Sequence, residues 1–337
     1  MSGRLDMAER FFEAARMELV SGTAPPSKLY FWSFRVLDAE RESQDNATAC
    51  NAHLQRMKAL HAAVADRART GLAEAEVEST ALCYVLEAEL WLRSAREEDP
   101  TEIAHQLTRA SREAYRGLEE RFKVERKGVE EVALASVRLL QADLDLGQVS
   151  ERSAYQQHLD RVHSAEQRSR RWAREGKAPG SRGPLRGPLA HAAEPRGLTP
   201  NGPQAQLEVQ IGAFFRWEAE YLFSLLNAQR RTRSKAFADK RLAAARETYE
   251  TLRDDYQAGC GMADSLALWS LRWMRAARDA HEEVSGDPQA AETLNAHLER
   301  LLQLQAHLRA TQPIGVALDL GALEYFVLEA ECWIMAG

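Results

Sequence analysis

The segment Ser33-Phe34-Arg35-Val36-Leu37-Asp38-Ala39 returns as Ser136-Val137-Arg138-Leu139-Leu140-Gln141-Ala142 and again as Ser270-Leu271-Arg272-Trp273-Met274-Arg275-Ala276. The shared pattern is Ser-x-Arg-x-(Leu/Met)-x-Ala. A second element follows each copy: His53-Leu54-Gln55-Arg56, His158-Leu159-Asp160-Arg161 and His297-Leu298-Glu299-Arg300, at offsets of 20, 22 and 27 from the Ser. A third element closes each set: Leu86-Glu87-Ala88-Glu89-Leu90-Trp91, Trp217-Glu218-Ala219-Glu220-Tyr221-Leu222 and Leu328-Glu329-Ala330-Glu331-Cys332-Trp333. Three ordered elements recurring three times mark tandem copies of one unit, and a repeat of this kind decides the fold before any single motif does. The expected units are 1–99, 100–232 and 233–337.

Good helix formers dominate: Ala, Leu, Glu, Arg and Gln fill the chain, and no β-branched run alternates with period two. Gly22, Gly71, Gly259 and Gly315 read as helix ends or turns at hairpin tips. Asp99-Pro100-Thr101-Glu102 and Asp287-Pro288 read as helix starts, each a capping residue followed by a proline in the first turn. The expectation is an all-α chain of twelve helices in six antiparallel hairpins, two per repeat, stacked as an elongated α-solenoid or bundle. The middle copy is longer because of 177–203. The stretch 176–203 holds six of the 11 prolines and six of the 19 glycines and is expected to be a loop.

On the helix around Leu86, Tyr84, Ala88 and Trp91 form one apolar face while Cys83, Leu86 and Leu90 cover the opposite one, so the helix is expected between neighbours. Glu87 then needs a cation or several donors. The repeated Arg35, Arg138 and Arg272 are the expected partners of Glu87, Glu218 and Glu329, pairing within each unit. Trp32 and Trp269 occupy equivalent repeat positions, as do Trp91 and Trp333, which points to core volume rather than ligand stacking.

Runs of this sequence, Tyr256-Gln257-Ala258-Gly259 leading to Trp269-Ser270-Leu271-Arg272 and Ala276-Ala277, and Met57-Lys58 through Gly71 to Tyr84-Val85-Leu86-Glu87-Ala88-Glu89-Leu90-Trp91, resemble uncharacterised bacterial helical-hairpin proteins. These are similar in turn to the coiled-coil part of the TolC outer-membrane efflux family. The resemblance covers nearly all of the chain except 176–203 and implies packed helical hairpins. That family also carries a signal peptide and barrel strands, neither of which is visible here, so no functional residue transfers. An envelope-associated, efflux-related component is the alternative to a helical interaction scaffold.

The 337 residues carry 44 Lys+Arg against 50 Asp+Glu, and the net charge of −6 does not describe a polyanion binder. No apolar run reaches the 18 or so residues of a membrane span, since Arg or Glu interrupts each one. The start, Met1 to Arg10, lacks the apolar core of a secretory signal, which makes a cytoplasmic protein the expectation. Cys50, Cys83, Cys260 and Cys332 stand far apart, without Cys-x-x-Cys spacing, and read as free thiols.

No established catalytic motif emerges. Glu102-x-x-His105 is half of a di-iron ligand set without its second copy and reads as a helix-start Glu beside a solvent-facing His. The repeated His53, His158 and His297 read as interhelix hydrogen bonds, because copies one unit apart are separated in space. Gly180, Gly183 and Gly187 lack the Gly-Lys-(Ser/Thr) of a phosphate loop. The sequence reads as non-enzymatic, without cofactor or metal, and as binding a protein partner of unidentified kind, with nucleic acid disfavoured. Charge is uneven, however. Residues 166–196 and 229–241 each carry net +5. Arg168, Arg170, Arg171, Arg174, Lys177, Arg182, Arg186, Arg230, Arg231 and Arg233 are therefore the candidate docking residues for an acidic partner, set against the plainer reading of a solvated loop and helix end.

Overall fold

The computed structural model describes residues 2–124, 127–175, 203–226, 231–258, 263–281, 289–311 and 317–336. Among these the chain is helical with no strand, in twelve helices: α1 Ser2–Ser21, α2 Pro26–Glu40, α3 Asn46–Arg69, α4 Ala75–Ala95, α5 Thr101–Lys123, α6 Val129–Leu146, α7 Glu151–Arg174, α8 Pro203–Leu225, α9 Arg231–Gln257, α10 Ala263–His281, α11 Gln289–Thr311 and α12 Ala317–Ala336.

Local chemistry accounts for the helix boundaries. Asp45 accepts a bond from the Thr48 N–H at 2.9 Å and caps α3, and Ser150 accepts from the Ser153 N–H to cap α7. Asp99 accepts from both the N–H and the hydroxyl of Thr101, so the Asp-Pro-Thr signal does start α5. Gly22 and Gly71 follow α1 and α3 in the left-handed conformation of a helix C-terminus. The tips expected at Gly259 and Gly315, the start at Asp287-Pro288, and Cys260 lie outside the described residues, as does the expected loop as far as Gly202; its last residue, Pro203, opens α8.

The chain divides into two compact units, Met1–Ala114 with Leu298–Gly337, and Tyr115–His297. In the first, α1 to α4 pack in chain order and α12 packs on α1. Trp32 joins three of these helices, with its ring 4.8 Å from Phe11 of α1 and 5.3 Å from Tyr325 of α12. Helices α1 and α12, from opposite ends of the chain, are thus neighbours within this unit. In the second unit α6 to α10 pack in succession and α6 also touches α8. Its core includes Phe122 against Trp172 and Phe214 against Trp269. Trp32 and Trp269 are buried core residues, as their equivalent repeat positions imply. No described helix is long and apolar enough to cross a membrane.

Candidate functional site

The two most recurrent polar elements of the sequence meet. Ser33 of α2 lies 2.9 Å from Nδ1 of His53 on α3, and Arg56, one turn further along α3, donates from Nε to the same Ser33 oxygen at 2.9 Å. Arginine has no acceptor, so the Ser33 hydroxyl accepts from Arg56. The other two nitrogens of the Arg56 guanidinium grip both oxygens of Glu40, at 3.0 and 2.8 Å. The ring of His53 stacks on Trp91, with centroids 5.6 Å apart.

The arrangement recurs. Ser136 of α6 bonds His158 of α7 at 2.9 Å, and Arg161 donates to Ser136 at 2.8 Å while its guanidinium covers Tyr115. Ser270 of α10 bonds His297 of α11 at 2.8 Å. The repeated histidines are interhelix hydrogen bonds.

A serine beside a histidine invites comparison with a nucleophile and its base. Such a base must become imidazolium, usually with a carboxylate behind it. Here the neighbouring group is a guanidinium, and burial together with Arg56 pushes His53 down to about 3. Burial and Arg161 likewise push His158 down to about 4. Ser33 and His53 are both 0% exposed. These side chains brace two helices against each other.

The charged positions of the repeat are also paired, but not as expected. Arg35 forms its ion pair with Glu329 of α12, at 2.7 Å, and Arg4 of α1 approaches the same carboxylate at 3.9 Å. Arg4 also donates to the Tyr325 hydroxyl at 3.4 Å. Arg272 pairs with Glu130 of α6 at 2.6 Å, and Glu218 with Arg241 at 3.0 Å. Arg35 and Glu329 hold the equivalent repeat positions of different sequence copies, so the expectation of pairing within each copy is corrected. The reason is the docking of α12 on α1, which delivers Glu329 to α2.

Of the candidate docking residues, Arg170, Arg171 and Arg174 are exposed and Arg168 is half-buried, all in the last turns of α7. Arg170 donates to buried Glu166, at 2.8 and 2.9 Å, and Arg216 of α8 lies 3.1 Å from that carboxylate's other oxygen. Arg170 therefore serves the α7–α8 seam. Arg168, Arg171 and Arg174 have no carboxylate partner among the described residues. Lys177, Arg182, Arg186 and Arg230 lie outside those residues; Arg231 and Arg233 sit in the first turn of α9, their side chains likewise outside. Glu102 and His105 are both exposed, as the plain reading of that pair had it. Cys50, Cys83 and Cys332 are free thiols. The described residues contain no cluster of three or more His, Cys, Asp or Glu able to hold a metal ion.

The sequence reading missed Glu166 and Glu208. Glu208 of α8 reaches the start of α6 and accepts from the Val129 N–H at 2.8 Å. For Glu166 a signal was present, since Arg170 follows it by four residues on a helix.

No protein-family model and no curated protein matches this chain.

Proposed function

We propose that the protein is a non-enzymatic helical scaffold of three two-hairpin repeats, which presents the arginine strip of α7 to an acidic protein partner. The observation that carries this reading is the burial of the Ser–His–Arg braces. Among the described residues, the constellation that most resembles catalytic machinery is sealed from substrate, and its hydroxyl and its ring nitrogen are committed to each other. Residues repeated at equivalent positions serve packing between neighbours, and such arrays work through the surfaces they present. Arg168, Arg171 and Arg174 follow at three-residue intervals along the last two turns of α7, adjoining the long segment before α8. A carboxylate-rich surface satisfies such a strip by charge-assisted hydrogen bonds, weakened by salt because the site is exposed.

The test compares partner recovery from native cells by the wild type and by the triple variant Arg168→Ser, Arg171→Ser, Arg174→Ser, at low and at high salt. The expected result is a defined acidic partner held by the wild type, released by salt and absent with the variant. Identical recovery by both proteins overturns the assignment of this surface.

A further inference from the structure

The start of α6 is capped from another helix. Its N-cap residue is Gly128, which has no side chain to offer the free N–H groups of the first turn. Glu131 reaches back to the Gly128 N–H at 3.0 Å, and the Val129 N–H is taken by Glu208, 79 residues away on α8. The absence of a side chain at Gly128 is what admits this carboxylate. A Cβ built there lies 2.9 Å from the Glu208 Oε1, closer than a real Cβ approaches an oxygen. Glu208 is buried, and three carboxylates, Glu130, Glu131 and Glu208, converge on one helix start.

Their surroundings differ. Glu130 is held by Arg272 of α10 at 2.6 Å, and Glu131 by Lys127 at 3.1 Å. On the other helices packed against α8, the neighbouring charges are committed elsewhere: Glu166 of α7 to Arg216, Glu247 of α9 to Gln210, and Arg241 of α9 to Glu218 and Asp279. What faces Glu208 directly is one backbone donor and two like charges.

We propose that Glu208 is a proton-operated latch between α6 and α8, closed when its carboxyl is protonated and loosened when it ionises. The protonated carboxyl still accepts the Val129 N–H through its carbonyl oxygen, so the cap survives without the cost of a buried charge beside Glu130 and Glu131. Burial is the main force pushing this carboxyl up, to about 7, with Glu130 and Glu131 adding to it and the Val129 bond opposing. A value raised above that of the unfolded chain means that the folded protein holds the proton between the two. The latch is therefore fully engaged below about 4.5 and lost as pH rises through about 7.

The test measures urea unfolding of the wild type and of Glu208→Gln, which keeps the acceptor oxygen and cannot ionise, from pH 5 to pH 8. One proton held between those limits raises the wild-type unfolding constant relative to the variant by on the order of 50-fold. Parallel pH profiles overturn the proposal. Should Glu208→Gln not fold, carbon-13 NMR of the Glu208 carboxyl in the intact protein decides: a midpoint near 7 supports the latch, and one between 4 and 5 overturns it.

Discussion

Replacing Arg35 by Met removes one half of the ion pair that ties α2 to α12. Arg35 is 6% exposed and Glu329 1%, with nitrogen and oxygen 2.7 Å apart. Two unit charges about 4 Å apart attract by about 4 kcal/mol at the effective dielectric of a protein site. Breaking a buried pair by removing one partner costs roughly 3–5 kcal/mol, because the other charge stays behind. Glu329 is not left alone here, since Arg4 remains at 3.9 Å. The expected cost of Arg35→Met is accordingly near the lower end, about 3 kcal/mol. In Glu329→Gln the carboxylate is already gone, so Arg35→Met should cost less there by about 2 kcal/mol, within the range of coupling for residues in contact. The pair Arg93 and Glu89, 3.4 Å apart and partly exposed on α4, gives the contrast, at less than about 1 kcal/mol. The assay is equilibrium unfolding in urea of the four proteins in the Arg35 and Glu329 cycle. Additive losses would refute the pairing and, with it, the part given to α12 in completing the first unit.

Ser33→Ala leaves the His53 Nδ1 without its hydroxyl partner in a sealed site and should destabilise by about 1–3 kcal/mol, measured by the same unfolding assay; a neutral outcome would show that the brace is dispensable. The histidines make the protein acid-sensitive. With His53 near 3 and His158 near 4 in the folded state, against 6.5 for a free imidazole, only the unfolded chain takes up these protons as pH falls below about 6.5. Their stabilisation is complete above that value and declines by about 1.4 kcal/mol per pH unit for each histidine down to about 4. His158→Gln should flatten the stability profile across that window by about one proton, whereas an unchanged slope would mean that His158 titrates normally. Gly212→Ala places a Cβ 3.3 Å from the Cα of Glu166. The helix-propensity gain of about 1 kcal/mol should be outweighed by roughly 1–3 kcal/mol of overpacking between α7 and α8, lowering the melting temperature; a higher melting temperature would contradict this.

The helices and the brace residues were legible because both leave local or repeated traces. Ser33, His53 and Arg56 could be picked out without knowing what they touch, since the same types return at matching offsets. The partner of Arg35 was not legible. It depends on α12 lying against α1, and nothing near Arg35 in the sequence encodes a contact nearly three hundred residues away. Glu208 was invisible for a related reason, being one glutamate inside a helix; the only hint was Gly128, a helix start with no side chain to cap it. The basic cluster shows the opposite error. Composition counted Arg170 as available, while its spacing from Glu166 already placed the two on one helix face.

The most direct test of the account is the titration of the brace histidines, read by nitrogen-15 NMR of the folded protein. The account expects His53 and His158 to stay neutral through pH 5. Titration of either ring near 6.5 would contradict it, because a ring able to become imidazolium at neutral pH could take a proton from serine and the braces would have to be reconsidered as chemistry.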